Sequence, residues 1–133
     1  MIRNVKFLKV ENIALAVVPD NSDDLELFST YIINLKEEDL QNVLIRARGV
    51  GEIEGKNLQT ATLTVLLENV AGGTFVKIDS FEKEATALSN EYWISFRQNG
   101  YMYDKKYVFV AESIVEDNFT DLPLMNCKGV IIH

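Results

Sequence analysis

The stretch Glu91-Tyr92-Trp93-Ile94-Ser95-Phe96-Arg97-Gln98-Asn99-Gly100-Tyr101-Met102-Tyr103-Asp104-Lys105-Lys106-Tyr107-Val108-Phe109-Val110 reads as two strands joined at Asn99-Gly100. A two-residue type I′ turn needs positive φ at both central positions, and Asn-Gly supplies it at low cost. Closing a hairpin there pairs Glu91 to Gln98 with Tyr101 to Val110. Tyr92, Ile94 and Phe96 then share a face with Tyr103, Tyr107 and Phe109, while Trp93 and Arg97 share the other with Met102, Val108 and Val110. Both faces are partly apolar. A competing turn at Tyr103-Asp104-Lys105-Lys106 would change every cross-strand contact, but its turn chemistry is less specific.

The same two-residue period recurs upstream. Leu25, Leu27, Tyr31, Ile33 and Leu35 fall on one parity and Glu26, Thr30 and Asn34 on the other, the signature of a half-buried strand. After the acidic turn Lys36-Glu37-Glu38-Asp39, Val43, Ile45 and Ala47 alternate with Leu44, Arg46 and Arg48, so the two segments read as an antiparallel pair. The unbroken apolar run from Ile13 to Val18 predicts a more central strand. Thr60 to Val70 is ambiguous: Leu63, Leu66, Leu67 and Val70 fit helical spacing, whereas Thr62, Thr64 and Val65 favour a strand; we read it as a short helix. Gly72-Gly73 ends it and releases a strand at Thr74 to Ile78, and Glu82 to Leu88 allows a brief helical turn. Seven or eight short strands with one or two short helices predict a mainly β fold, an antiparallel β-sandwich.

Residues 1–133 read as one domain, because no repeat, low-complexity tract or Pro/Gly/Ser linker divides them. Hydrophobic residues make up 47% and charged residues 25% of the chain, the composition of a globular protein rather than a disordered one. With 13 basic and 20 acidic side chains the formal charge is −7, which disfavours duplex nucleic acid unless the basic residues gather on one face. Met1 to Phe7 has no apolar core of the signal-peptide kind, and no run approaches a membrane span, so the expected location is the cytoplasm, with no membrane partner. The lone cysteine, Cys127, agrees with a reducing compartment.

Catalytic chemistry is sparsely represented. The only histidine is His133, and Cys127 has neither a second thiol nor a nearby histidine, so no metal site, no cofactor and no catalytic residue is expected. Gly49-Val50-Gly51-Glu52-Ile53-Glu54-Gly55 lacks the spacing and the strand-helix context of a phosphate loop. Asp20, Asp23 and Asp24 offer oxygen ligands to calcium but lack the EF-hand order, and read as solvated turn residues. A small hydrolase using two carboxylates is a further reading; it requires a pocket in which two acids converge. The strongest binding signal is aromatic and basic: Trp93, Arg97, Tyr101, Tyr103, Lys105 and Lys106 lie close together in the hairpin, a mixture used by protein interfaces and single-stranded nucleic-acid platforms. The competing interpretation is that one aromatic face is core and the lysines guard a strand edge.

Two resemblances add to this. Tyr31-Ile32-Ile33-Asn34-Leu35 through Leu40-Gln41-Asn42-Val43-Leu44-Ile45, followed by Ala71-Gly72-Gly73-Thr74-Phe75-Val76-Lys77-Ile78, resembles the strand-turn-strand rhythm of immunoglobulin-like and fibronectin-like domains, implying that architecture without its Cys and Trp framework. Arg48-Gly49-Val50-Gly51-Glu52, Asn90 to Phe96, Tyr103 to Val110 and Leu122-Pro123-Leu124-Met125-Asn126 resemble a family of short bacterial proteins, some of them labelled phenylalanyl-tRNA synthetase subunits. That resemblance implies an accessory module linked to tRNA aminoacylation, with Arg97, Lys105 and Lys106 meeting tRNA, because the chain has no class II ATP motif. The expectation placed first is a non-catalytic β-sandwich that binds a protein partner or itself through the hairpin.

Overall fold

The computed structural model describes residues 8–20 and 26–133; the calcium reading at Asp23 and Asp24, the start of the second strand at Leu25 and the Met1 to Phe7 segment lie outside them. Ten strands follow in chain order: β1 (Ile13–Asp20), β2 (Leu27–Asn34), β3 (Leu40–Ile53), β4 (Lys56–Gln59), β5 (Leu63–Val70), β6 (Thr74–Glu82), β7 (Ser89–Gln98), β8 (Tyr101–Phe109), β9 (Thr120–Asp121) and β10 (Lys128–Ile132). They form two antiparallel sheets packed as a sandwich. The first has the order β6-β2-β1-β10-β9; the second has β4-β3-β7-β8, with β5 also pairing along β3. Among the described residues the helical backbone consists of 3₁₀ turns at Lys83–Ala87, inside the expected Glu82 to Leu88 segment, and at Glu116–Asn118.

The core lies between the sheets. Ile13, Leu15, Val17 and Ile32 of the first sheet meet Val43, Ile45, Tyr92, Ile94, Phe96 and Phe109 of the second. Burial of this kind contributes about 1.5–3 kcal/mol per large apolar side chain. Polar groups buried in this layer are paired: the Tyr107 hydroxyl donates to the Ile13 carbonyl at 2.8 Å and so ties β8 to β1 across the sandwich.

The Asn99-Gly100 hairpin forms in the expected register, with Gln98 opposite Tyr101, Tyr92 opposite Tyr107 and Trp93 opposite Lys106. Both turn residues have positive φ, 53° at Asn99 and 79° at Gly100. The Ile13 to Val18 run is central as its composition suggests, and the reason is visible. Its odd-numbered side chains enter the main core, while Ala14 and Ala16 pack beneath Leu122, Met125 and Cys127 on the opposite face. The 122–127 segment, closed by a hydrogen bond from Leu122 N to Cys127 O, therefore covers the centre of the first sheet's outer face.

Three expectations are corrected. Thr60 to Val70 is not a helix: β5 runs antiparallel to β3 with Val65 opposite Ile45, and the β-branched residues prevail over the leucine spacing. Leu66 is 76% exposed, so the spacing that looked helical does not describe one buried stripe. β2 is not half-buried but packed on both faces: Phe28 and Ile32 face the inter-sheet core, whereas Ile33 and Leu35 pack in the cluster beneath 122–127. Nor do β2 and β3 pair, because the acidic turn carries the chain from one sheet to the other. Asn34 organises that corner: its side chain donates to the carbonyls of Glu38 and Val70 and accepts from the Lys36 amide.

Candidate functional site

The outer face of the second sheet is covered by no segment among the described residues. Strand alternation sends Leu44, Arg46 and Arg48 of β3 outward, along with Glu91, Trp93, Ser95 and Arg97 of β7, because their neighbours Val43, Ile45, Tyr92, Ile94 and Phe96 are buried. Register then builds rows across the sheet: Thr64, Arg46, Trp93 and Lys106 form one, and Leu66, Leu44, Ser95 and Asp104 the next. Between them lies a shallow basin of about 590 Å³ lined by Leu44, Arg46, Arg48, Thr62, Trp93 and Ser95.

Trp93 is its centre. The Arg48 guanidinium carbon stands 5.0 Å from the ring centroid and Lys106 Nζ stands 4.8 Å from it, both within the range of cation–π attraction. Glu91 fixes both cations, accepting from Arg48 Nε at 3.1 Å and pairing with Lys106 Nζ at 3.0 Å. The Lys106 hydrogen bond, with help from Arg48, holds the Glu91 carboxyl below the usual carboxylate range against an opposing effect of burial. Ser95 is engaged with Asp104 at 2.5 Å. Arg46 and Arg97 have no hydrogen-bond or ion-pair partner among the described residues, so their charges are available to a ligand.

The sheet divides the residues singled out in the hairpin. Trp93, Arg97 and Lys106 share the open outer face. Tyr103 and Lys105 belong to the opposite parity. Tyr103 stacks on Phe96 with centroids 5.1 Å apart and carries Lys36 Nζ 5.4 Å above its ring, while Lys105 Nζ lies 4.9 Å from the centre of the Tyr107 ring. Tyr101 is 61% exposed at the hairpin tip. Arg97, Lys105 and Lys106 thus do not form one basic patch. Arg46 and Arg48, by contrast, are site residues whose sequence pattern marks them only as the polar parity of a strand; their alternation with Val43, Ile45 and Ala47 is the available signal, but only the pairing of β3 with β7 brings them to Trp93.

A second concavity, of about 180 Å³, opens between the sheets beside Leu63, Asp79, Phe81, Asn90 and Tyr92. Asp79 is the one carboxylate among its described lining residues. Burial raises the Asp79 carboxyl above the usual range, opposed by hydrogen bonds from Thr30 and Tyr92 and by the charge of Lys77. The Tyr92 hydroxyl lies 2.9 Å from Thr30 Oγ1 and donates to the two Asp79 oxygens at 3.4 and 3.3 Å; burial, reinforced by the Asp79 charge, drives its own pKa upward. Neither concavity has two carboxylates among its lining residues, the arrangement a carboxylate hydrolase requires.

Among the described residues no group of three His, Cys, Asp or Glu side chains could hold a metal ion, and no helix is long and apolar enough to cross a membrane. Cys127 is half-buried in the cluster under the first sheet. No protein-family model and no curated protein matches this sequence.

Proposed function

We propose that this protein is a non-catalytic binding module whose contact surface is the outer face of the second sheet, centred on Trp93. One observation carries the reading: the centre of the first sheet's outer face is packed by the protein's own 122–127 segment, leaving Phe75 at its β6 edge exposed, whereas the second sheet presents a tryptophan, arginines and leucines across its middle. Trp and Arg are the residue types that most often dominate the energetics of protein contacts, and a half-buried indole between cations is a rigid anchor with little entropy left to lose. The hairpin contributes through Trp93, Arg97 and Lys106, and β3 contributes Arg46 and Arg48.

The sandwich is read as immunoglobulin-like on the strength of its two antiparallel layers, and its place of action as the cytoplasm, supported by the unpaired Cys127. The test of the binding reading is site-directed cross-linking. A photoreactive amino acid placed at Leu66, which is 76% exposed beside the basin, should give a protein adduct in cells that disappears with Trp93→Ala. An adduct indifferent to Trp93→Ala, or no adduct at all from a folded protein, would overturn the assignment.

A further inference from the structure

The distribution of charge on this face points to its occupant. The two central strands carry Arg46, Arg48 and Arg97 outward with Glu91 among them, and the flanking strands carry Glu68 on β5 and both Asp104 and Lys106 on β8. Glu91 already occupies Arg48 and Lys106, and Ser95 already occupies Asp104. What remains is two guanidinium groups, Arg46 and Arg97, without a partner among the described residues, on a chain whose net charge is −7. A cationic pair on an otherwise acidic protein attracts an acidic partner locally while the rest of the surface repels polyanions.

The spacing narrows the chemistry further. Arg46 stands opposite Trp93 in register, and Arg97 lies four residues farther along β7. At about 3.3 Å per residue, that separation is roughly 13 Å along the strand direction. An extended peptide places side chains i, i+2 and i+4 on one side, with i and i+4 the same distance apart. Between the two arginines lies the row of Leu66, Leu44 and Ser95, of which Leu66 is exposed and apolar.

We propose, resting on the binding reading above, that the Trp93 face docks an extended acidic segment of a protein partner. Its two carboxylates, four residues apart, meet Arg46 and Arg97, and the apolar residue midway between them lies against Leu44 and Leu66. Arginine suits this role because its planar fork takes a carboxylate through two parallel hydrogen bonds. Trp93 beside the Arg46 site closes one end and excludes water from the ion pair.

The chain's single tryptophan is Trp93, so its fluorescence reports on this face without a label. The probe is a blocked pentapeptide with glutamate at positions one and five and leucine at position three, titrated into the whole protein at low and at physiological salt. Saturable quenching is expected, weakened about tenfold by each of Arg46→Ala and Arg97→Ala, as loss of a charge-assisted pair implies. A control peptide with glutamine at positions one and five should bind at least tenfold more weakly than the glutamate peptide. Equal binding of the two would overturn the charge assignment, as would equal affinity for a peptide with adjacent glutamates. Tighter binding of a single-stranded oligonucleotide than of the glutamate peptide would replace the proposal with a nucleic-acid platform. A concentration-dependent change in Trp93 emission without peptide, matched by dimerisation in sedimentation, would assign the face to a second copy of the chain. Loss of the peptide result alone, with the Trp93-dependent cross-link intact, sinks the acidic partner and leaves the binding module standing; loss of both sinks the two together.

Discussion

The hydroxyl of Tyr92, on β7 of one sheet, reaches the carboxylate of Asp79, on β6 of the other, while also meeting Thr30 Oγ1 at 2.9 Å. This small polar cluster sits at the margin of an apolar core, where each group depends on the others for its partner. Tyr92→Phe keeps the ring and its edge contact with Phe109 but leaves Thr30 and Asp79 with only each other as partners. A loss of about 0.5–1.5 kcal/mol is expected, the net contribution of a hydrogen bond, measured by urea unfolding. No change in the unfolding midpoint would show that water replaces the phenol without penalty.

Asp79 gives a signed pH dependence. Its carboxyl titrates above the 3.8 of the unfolded chain, so between those two values the folded state holds more protons and stability falls as pH rises. The penalty grows across that interval and is complete above the folded-state value. Asp79→Asn removes it, so the variant should melt higher than the parent at pH 7, and the gap should close as the pH approaches 3.8. A gap independent of pH would sink this account.

Glu91 has the opposite sign. Its carboxyl titrates below 4.5, so the stability it contributes is present above that value and is lost as the pH falls through the lower folded-state value. Because the Lys106 side chain is 45% exposed, Glu91→Gln should cost only about 0.5–1 kcal/mol at pH 7. The same substitution should release Arg48 and Lys106 and strengthen binding of the acidic pentapeptide. Weaker peptide binding in Glu91→Gln would mean that the carboxylate orients the cations productively instead of competing for them.

Lys105 points toward the core side of β8, an edge strand, and rests against the Tyr107 ring. An inward charge at an edge discourages pairing with another sheet. Lys105→Val should therefore raise the tendency to self-associate, visible as a concentration-dependent sedimentation coefficient. A variant that stays monomeric at high concentration would assign the lysine no protective role.

Gly72 has no room for a side chain, because a Cβ there would collide with the carbonyl of Glu37. Backbone meets backbone, and neither can swing aside. Gly72→Ala should cost about 2–3 kcal/mol by thermal or urea unfolding, the scale of an overpacked site. A smaller loss would show that the 36–39 corner can shift.

The hairpin was legible because its information is local: Asn99-Gly100 sets the turn, the turn sets the register, and the register divides Trp93 from Tyr92. The parity of β2 was not, because Ile33 and Leu35 are buried beneath residues about 90 positions later, and a strand covered on both faces has no polar side to declare its orientation. β5 misled for a related reason: at an edge such as Leu66 an apolar residue can remain in solvent, which breaks the two-residue period. The site was half visible. Trp93, Arg97 and Lys106 came from composition, but Arg46 and Arg48 become neighbours of Trp93 only through pairing across more than 40 residues of chain.

The central place of β10 in the first sheet bears on how the molecule is made. β1 gains its second neighbour only after eight further strands have been synthesised. β3, β7 and β8 pair with one another without using β10, so the Trp93 sheet can form while the strands destined to back it still lack β10. In such a state the inner faces of Tyr92, Phe96 and Phe109 are without their full cover, and the chain is most open to capture by a chaperone. Docking of Lys128–Ile132 beside β1 completes that cover, which gives a five-residue strand a part in closing the whole sandwich.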